Sequence, residues 1–272
     1  AILGLLANYP IALAPGMGLN PLFTYTVVLT MGYKWQVALG AVFLSGAIFF
    51  ALSIFKIREW IINSIPLALR SGIAAGIGLF LAIIALKNAG IVVDHPATLV
   101  TLGDLSSGGA LLACLGFFLI AGLYYRKVTG AVMIGILAVT GLSIAFGLSK
   151  LEGVVSMPPS LMPTLLQLDI AGALDIGLIS VIFAFLFVDL FDTSGTLVGV
   201  AQKADLLDKD GKLPRAGRAL LADSTATMAG AALGTSTTTS YIESAAGISA
   251  GGRTGLTACV VAVLFLLSLF FS

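Results

Sequence analysis

The sequence predicts an all-α polytopic membrane protein, and three observations support this fold class. Hydrophobic residues make up 58% of the 272 residues and charged residues only 10%, with a mean hydropathy of +1.09. An ordinary soluble domain carries about a quarter charged residues, so this chain has too few polar side chains to cover a water-exposed surface. Apolar runs of roughly 17 to 25 residues, the length that a bilayer-spanning helix needs, recur along the chain. The basic residues between these runs are unevenly distributed.

The apolar runs are separated by short polar stretches and give about eight complete or broken spans. Between two of them, residues 56–70 have the pattern of an interfacial amphipathic helix, with Trp60 at the depth of the lipid headgroups. The apolar segments lie near residues 10–31, 36–55, 71–88, 108–125, 129–148, 175–200, 217–234, 240–251 and 254–272.

Lys and Arg residues differ sharply in number between alternating loops, as the positive-inside rule requires if these spans are correct. One set of loops contains eleven of the fourteen Lys and Arg residues, whereas the other contains only Lys34, Lys87 and Lys150. The rule therefore predicts that loop 201–217 is cytoplasmic and that the loops near 89–107 and 149–174 are external. We interpret loop 201–217 itself as a solvated connector.

Both ends of the chain lie in apolar runs, and we expect both to cut through membrane helices. The opening run, residues 2–7, is too short for a signal peptide and lacks its charged region and cleavage site. Cys114 and Cys259 lie in apolar spans, where a thiol is ordinarily a packing group, so neither a disulfide nor a metal role is expected of them.

Two apolar segments are poorly suited to a continuous helix. Segment 9–21 contains three prolines and two glycines, and segment 234–247 places β-branched residues before a run of small ones. We expect each segment to run extended and then to turn into a half helix. Non-helical backbone inside a membrane is tolerated only where protein or a wet cavity satisfies its N–H and C=O groups, so two such interruptions predict a binding site. Kinks in ordinary spans are the alternative interpretation.

Carboxylates inside the apolar spans are the sharpest chemical signal, because an ionised Asp costs at least ~2.5 kcal/mol at the centre of a membrane helix. Asp189 and Asp192 follow thirteen mostly apolar residues and share one helix face at positions i and i+3. Residues 193–196 (TSGT) continue as a stretch that we expect to be loosely wound. Glu243 lies where the second broken segment changes from extended to helical.

Three acids near one cavity predict that at least one of them holds a proton near neutral pH, which supports a proton-coupled site. The alternative for Asp189 and Asp192 is a polar pair that is satisfied by neighbouring helices or by water. Asp223 is interpreted equally well as a helix-start acid, as a partner of Arg218 or as a ligand contact.

Two further polar residues are less specific. His95 lies in an external loop and is expected to be a surface residue. Asn20 is either a turn residue or, if it faces the cavity, an amide that offers both a donor and an acceptor to a flat heterocycle.

Four motifs carry a family resemblance, namely residues 12–20 (ALAPGMGLN), 86–91 (LKNAGI), 189–196 (DLFDTSGT), and 241–247 (YIESAAG) together with 251–258 (GGRTGLTA). Over essentially the whole chain, they resemble the AzgA-like purine permeases of the nucleobase/ascorbate transporter superfamily. The fold of that family has fourteen spans in two inverted repeats of seven, with a core and a gate domain. The resemblance thus implies an inverted-repeat transporter fold with two discontinuous spans that carry short extended segments.

On this plan the chain runs from the end of the second span into the eleventh. It would hold a first part of the core at 1–70, gate spans and an external loop at 71–174, and a second part of the core at 175–272. The resemblance implies that Asp189, Asp192 and Glu243 are essential acids and that Asn20 occupies a binding position. We expect Asp189 and Asp192 to couple the proton, and we expect substrate to contact Asn20, Tyr241, Ile242 and Glu243.

The resemblance also implies that a homodimer in the plasma or inner membrane imports hypoxanthine, guanine or adenine by proton symport. The proton is the coupling ion, and no organic cofactor, metal ion or nucleic acid is expected. The Gly-Met-Gly-Leu-Asn version of the first motif is more similar to the hypoxanthine/guanine subgroup than to the adenine subgroup. A carboxylate only accepts hydrogen bonds, so it matches the N1–H of hypoxanthine or guanine better than the N1 acceptor of adenine.

Two rival interpretations differ in class. An intramembrane aspartyl protease also needs aspartates in the membrane that share protons, but its acids face each other from different helices, one of them in a Gly-x-Gly-Asp context that this sequence lacks. An inorganic-anion transporter of related fold is disfavoured, because acids repel an anion.

Overall fold

The computed structural model describes residues 1–57, 60–61, 66–150, 153, 155–209 and 213–271. The chain divides into two compact units, one formed by 1–77 and 157–270 and the other by 78–156 with the end of the chain. The division into core and gate domains stays a prediction.

Helices dominate both units, and four short strands interrupt them. In chain order, the elements are α1 (Ile2–Ala7), β1 (Leu13–Pro15), α2 (Leu19–Pro21), a π-helix (Leu22–Thr30), α3 (Trp35–Ile54), α4 (Leu67–Asn88), β2 (Val92–His95), β3 (Leu99–Leu102), α5 (Gly108–Tyr125), α6 (Ala131–Ala145), α7 (Ile170–Ala173), a 3-10 helix (Ile176–Leu178), α8 (Ile179–Lys203), α9 (Ala216–Leu233), β4 (Thr238–Ser240), α10 (Ser244–Ser249) and α11 (Gly255–Ser268), all within the described residues.

The long helices follow the predicted apolar segments closely. α3, α5 and α9 match the predicted segments 36–55, 108–125 and 217–234 to within one residue at each end. Their composition explains this agreement, because α3 and α5 are long apolar runs and none of the three helices contains a proline. Among the described residues, α3, α5 and α8 are long and apolar enough to cross a membrane.

The first unit packs its helices around two groups of buried side chains. One group joins α1, α8 and α9 through residues that include Leu3, Leu197 and Leu220. The other joins α3 to α8 through residues that include Val42 and Phe185. These apolar contacts hold together the helices that carry the acidic residues.

Glycines allow some elements of this unit to approach backbone to backbone. A Cβ on Gly4 of α1 would lie 2.4 Å from the carbonyl oxygen of Gly255 at the start of α11. Likewise, a Cβ on Gly40 of α3 would lie 2.1 Å from the carbonyl oxygen of Asp169, which caps α7 by accepting the Gly172 N–H. Close packing of this kind through small residues is typical of membrane helices.

The second unit consists of the end of α4, a β-hairpin and two apolar helices. β2 and β3 pair in antiparallel fashion, with Val92 opposite Leu102. α5 and α6 pack closely, since a Cβ on Gly135 would lie 2.2 Å from Cγ1 of Ile120. His95 is exposed in the hairpin, which confirms that it is a surface residue.

One expectation about local structure is wrong. Residues 193–196 are not loosely wound, because α8 continues as a regular helix from Ile179 to Lys203. Their hydroxyls find partners without helix unwinding: the Ser194 hydroxyl donates to the Phe191 carbonyl oxygen at 3.1 Å, and the Thr193 hydroxyl bonds to carboxylates.

The interfacial helix predicted at 56–70 includes residues 58–59 and 62–65, which lie outside the described residues. Trp60 is described and is 71% exposed. The sidedness of loop 201–217, which includes the undescribed residues 210–212, stays a prediction.

We predict that Gly40→Ala destabilises the protein. The new methyl group would lie 2.1 Å from the Asp169 carbonyl oxygen and 2.9 Å from Cβ of Ala173, so α3 and α7 must move apart. Overpacking of this kind costs ~1–3 kcal/mol. A lower melting temperature of the detergent-purified protein is the expected result.

Gly199→Ala in α8 is the matched control, because no neighbouring atom lies within 4 Å of the added Cβ. Alanine is the better helix former, so this variant should melt at or above the wild-type temperature. Equal melting temperatures for Gly40→Ala and the wild type would show that the tight α3–α7 contact is absent.

Candidate functional site

Two short strands that lie far apart in the sequence meet in the first unit. β1 and β4 pair in antiparallel fashion, with Leu13 opposite Ser240 and Pro15 opposite Thr238. Two further backbone hydrogen bonds extend this ladder, from Gly16 N–H to Thr237 O at 2.9 Å and from Tyr241 N–H to Ala12 O at 3.0 Å. We call this pairing the strand crossing. It satisfies backbone groups that neither segment can satisfy within a helix.

The strand crossing is tied down by side chains as well as by backbone. The Tyr241 hydroxyl donates to the Pro15 carbonyl oxygen, and the Ala12 N–H donates to the Ser244 hydroxyl at 3.0 Å. From α9, the Thr227 hydroxyl donates to the Thr238 carbonyl oxygen at 2.8 Å. The crossing is therefore a fixed platform rather than a pair of independent loops.

A helix follows each strand and brings a predicted site residue to the platform. α2 follows β1 and contains Asn20, whose N–H donates to the Gly16 carbonyl oxygen at 2.9 Å. α10 follows β4, and Glu243 is the residue immediately before it. Asn20 and Glu243 are both exposed within the unit.

Asp189 is sealed inside the first unit. It has no accessible surface, and its Oδ1 accepts a hydrogen bond from the Thr193 hydroxyl at 3.1 Å. The same hydroxyl lies 3.3 and 3.4 Å from the two carboxylate oxygens of Asp223, which is also fully buried. One hydroxyl with one hydrogen therefore lies between two buried carboxylates.

Asp192 lies one turn further along α8 in a different environment. It is only partly buried and forms a side-chain hydrogen bond with Thr239 of β4. Glu243 and Asp223 are both close enough for their charges to act on Asp192. Asp192 thus connects α8 to the strand crossing and to the accessible carboxylate of Glu243.

Tyr241 belongs to the same cluster. The charges of Glu243 and Asp192 both act on its hydroxyl group, so the three side chains lie within electrostatic reach of one another. Ile242 is 46% exposed beside them and offers an apolar surface.

Several residues of this site were not singled out from the sequence. Thr193 joins the two buried acids, Ser236 bonds to Asn20, and Thr239 bonds to Asp192, but single hydroxyl residues are common and carry no specific signal. The sequence alone leaves three interpretations open for Asp223. It is not a helix-start acid, since the first turn of α9 holds no acidic residue, and its complete burial is the signal that separates it from a surface acid.

The geometry allows two kinds of chemistry in adjacent places. Accessible carboxylate, amide and hydroxyl groups beside an apolar side chain suit a flat ligand with N–H and acceptor groups. Buried carboxylates joined by a hydroxyl suit proton binding, because two like charges in a poorly solvated site are unfavourable.

The comparison with protein families supports a transport role. The model described as "Permease family" (Xan_ur_permease) matches residues 1–272. This match confirms the resemblance to the nucleobase/ascorbate transporter superfamily that the motifs indicate.

Curated relatives are similar over nearly the whole chain. A putative permease of Methanocaldococcus jannaschii is 58% identical, over 99% of this chain and 62% of its own length. The adenine permease AdeP of Escherichia coli is 50% identical over 100% of this chain and 61% of its own, and the guanine/hypoxanthine permease PbuG of Bacillus subtilis is 49% identical over 100% and 62%. The chain therefore spans slightly more than three-fifths of the length of these relatives.

A solved structure shares the fold. The transmembrane domain of a cyanobacterium bicarbonate transporter, BicA, superposes with a TM-score of 0.68 over 98% of this chain and 72% of its own, at 16% sequence identity. At that identity the likeness concerns the fold alone. Since the family model covers all 272 residues, the chain belongs to the Permease family, a family of integral membrane transporters and not of enzymes.

Proposed function

We propose that the protein imports purine nucleobases by proton symport, with hypoxanthine and guanine favoured over adenine. The observation that carries this proposal is the strand crossing, which brings the accessible Glu243 and Asn20 to one platform. Asp192 bonds to Thr239 of this platform, and the buried Asp189 lies one turn away on α8. The names of the curated relatives support a purine nucleobase as the substrate class.

The accessible groups are chemically matched to a 6-oxopurine. The Glu243 carboxylate accepts a hydrogen bond from N1–H, and in guanine also from the exocyclic amine. The Asn20 amide bonds to a second polar group on the same edge of the base, and Tyr241 and Ile242 flank the ring. Each group makes a contact that a flat heterocycle offers and an aliphatic substrate does not.

The buried acids supply the proton site. Asp189 and Asp192 bind the coupling proton, and the Thr193 hydroxyl extends the site to Asp223. Protonation of Asp192 removes a negative charge that acts on Glu243, so that substrate binding and proton binding favour each other. Coupling of this kind is a reciprocal free energy between two neighbouring sites.

At the level of the whole protein, we infer two inverted repeats of seven spans that work as a homodimer in the plasma or inner membrane, with loop 201–217 cytoplasmic. The antiparallel pairing of β1 with β4 supports an inverted repeat, because such a repeat brings its two broken segments together with opposite directions. Transport would then follow from movement of the core, 1–70 and 175–272, against the gate at 71–174.

An adenine permease is the second candidate, because this chain is about equally similar to both kinds of relative. It is 50% and 49% identical to the adenine permeases AdeP and AdeQ of Escherichia coli, and 49% and 47% identical to the guanine/hypoxanthine permeases PbuG and PbuO of Bacillus subtilis. An anion carrier is a third candidate on fold grounds alone, and the site acids disfavour it.

Competition against uptake of labelled hypoxanthine separates these three candidates. Our proposal expects guanine to compete strongly, adenine more weakly, and uracil or sulfate not at all. Stronger competition by adenine than by guanine favours the second candidate, and competition by sulfate favours the third.

We predict that Glu243→Gln nearly abolishes hypoxanthine uptake. The substitution keeps the size of the side chain but removes a charged acceptor, and hydrogen bonds to charged groups contribute about 1.5–3 kcal/mol. The apparent affinity should fall about 10- to 150-fold. Initial rates of labelled hypoxanthine uptake by cells producing the protein provide the measurement.

Asp104→Asn is the matched control, because it neutralises an exposed carboxylate in the second unit. Among the described residues, this carboxylate accepts hydrogen bonds from Ser106. It should leave uptake unchanged at equal amounts of protein in the membrane. Wild-type uptake by Glu243→Gln would rule out Glu243 as a ligand.

We predict that Asp189→Asn uncouples transport from the proton. The amide keeps the buried hydrogen bond to Thr193 in reversed direction but does not titrate. In proteoliposomes the variant should exchange internal for external hypoxanthine, yet it should not accumulate hypoxanthine against its gradient when an inward proton gradient is imposed. Uphill accumulation by the variant, or wild-type accumulation that survives a protonophore, contradicts the proposed coupling.

A further inference from the structure

Ser236 is a buried residue that joins the two halves of the candidate site. It lies between the end of α9 and β4 and is 7% exposed. Its hydroxyl donates a hydrogen bond to the Oδ1 atom of Asn20, more than 200 residues away in the sequence. A serine at this position therefore touches a proposed ligand residue without being accessible enough to form much of the ligand surface.

In the structure, this hydrogen bond engages one end of the Asn20 amide and leaves the other end for a ligand. An asparagine side chain has an acceptor oxygen at one end of its amide and a donor NH2 group at the other. With Oδ1 held by Ser236, the Nδ2 group is the end that remains. Asn20 then acts toward a ligand as a hydrogen-bond donor.

Asn20 and Glu243 are linked through a short chain of neighbouring residues. The Asn20 N–H donates to the Gly16 carbonyl oxygen. Gly16 in turn lies against Thr239, whose hydroxyl is 3.0 Å from the position that a Cβ on Gly16 would occupy. Thr239 bonds to Asp192, and Asp192 interacts with Glu243.

The purine bases differ at the position where a donor matters most. Hypoxanthine and guanine carry an acceptor oxygen at position 6 next to the N1–H donor, whereas adenine carries a donor amine at position 6 next to an acceptor at N1. A fixed donor beside a fixed carboxylate acceptor is complementary to the first pattern and opposed to the second. Sites that would leave a polar group unpaired reject the wrong partner strongly.

We propose that Ser236 is a positioning residue that determines specificity for 6-oxopurines over 6-aminopurines, by fixing Asn20 as a donor. This inference rests on the proposed function and adds the residue that sets its substrate preference. Without the Ser236 hydroxyl, the Asn20 amide is free to turn over and to present Oδ1 to the amine of adenine.

The test is equilibrium binding of labelled hypoxanthine and labelled adenine to the detergent-purified protein. The wild type should bind hypoxanthine at least about 10-fold more tightly than adenine, and Ser236→Ala should bring this ratio close to one, since one good polar contact changes affinity by about 10-fold. Ser236→Thr retains a hydroxyl and should keep most of the wild-type ratio. Ser45→Ala is the control, because it removes a buried hydroxyl of α3 that has no hydrogen-bond partner among the described residues, and it should keep the full ratio.

The possible results separate this inference from the proposed function. If both bases bind and Ser236→Ala leaves their ratio unchanged, or weakens both equally, the role of Ser236 is wrong and the purine site stands. If the wild type binds neither base, the proposed function fails. If Ser236→Ala does not fold, the wild type and Ser236→Thr still decide: equal binding of adenine and hypoxanthine by both proteins overturns the inference.

Discussion

The pairing of β1 with β4 is the interaction on which the rest of the site depends. Each strand interrupts an apolar segment, and its backbone N–H and C=O groups would be costly to leave unsatisfied away from water. The antiparallel ladder satisfies them with the other strand, although the two are more than 200 residues apart in the sequence. Because the ladder fixes the register, it also places Asn20, at the start of one helix, and Glu243, at the start of another, on the same platform.

The platform divides the acidic residues into two environments. Glu243 and Asp192 retain access to the outside of the unit, whereas Asp189 and Asp223 are completely buried around the Thr193 hydroxyl. This division gives a physical basis for separate tasks, since an accessible carboxylate can meet a ligand and a buried one is better suited to hold a proton. Asp192 links the two environments, because the charges of both the accessible Glu243 and the buried Asp223 act on it. The proposed coupling is therefore a property of adjacent side chains and does not require a long pathway.

Much of this arrangement is predictable from the sequence, for identifiable reasons. Mostly apolar segments without proline predict α3, α5 and α9 almost to the residue, and the prolines and glycines of 9–21 mark that segment as unsuited to a continuous helix. The pairing of the strands and the partners of Asp223 and Ser236 depend on contacts between distant residues, which local pattern does not contain. The expectation of a loosely wound stretch at 193–196 is wrong because polar side chains inside a helix can be satisfied by neighbouring helices and carbonyl groups.

A structure of the protein with hypoxanthine bound, determined by electron cryomicroscopy, tests the central claim most directly. We expect the base to lie at the strand crossing, with N1 within about 3 Å of the Glu243 carboxylate and the 6-oxo group within about 3 Å of Nδ2 of Asn20, the usual range for hydrogen bonds. Density for the base at a place that contacts neither Glu243 nor Asn20, or a bound structure in which β1 and β4 are not paired, would contradict it.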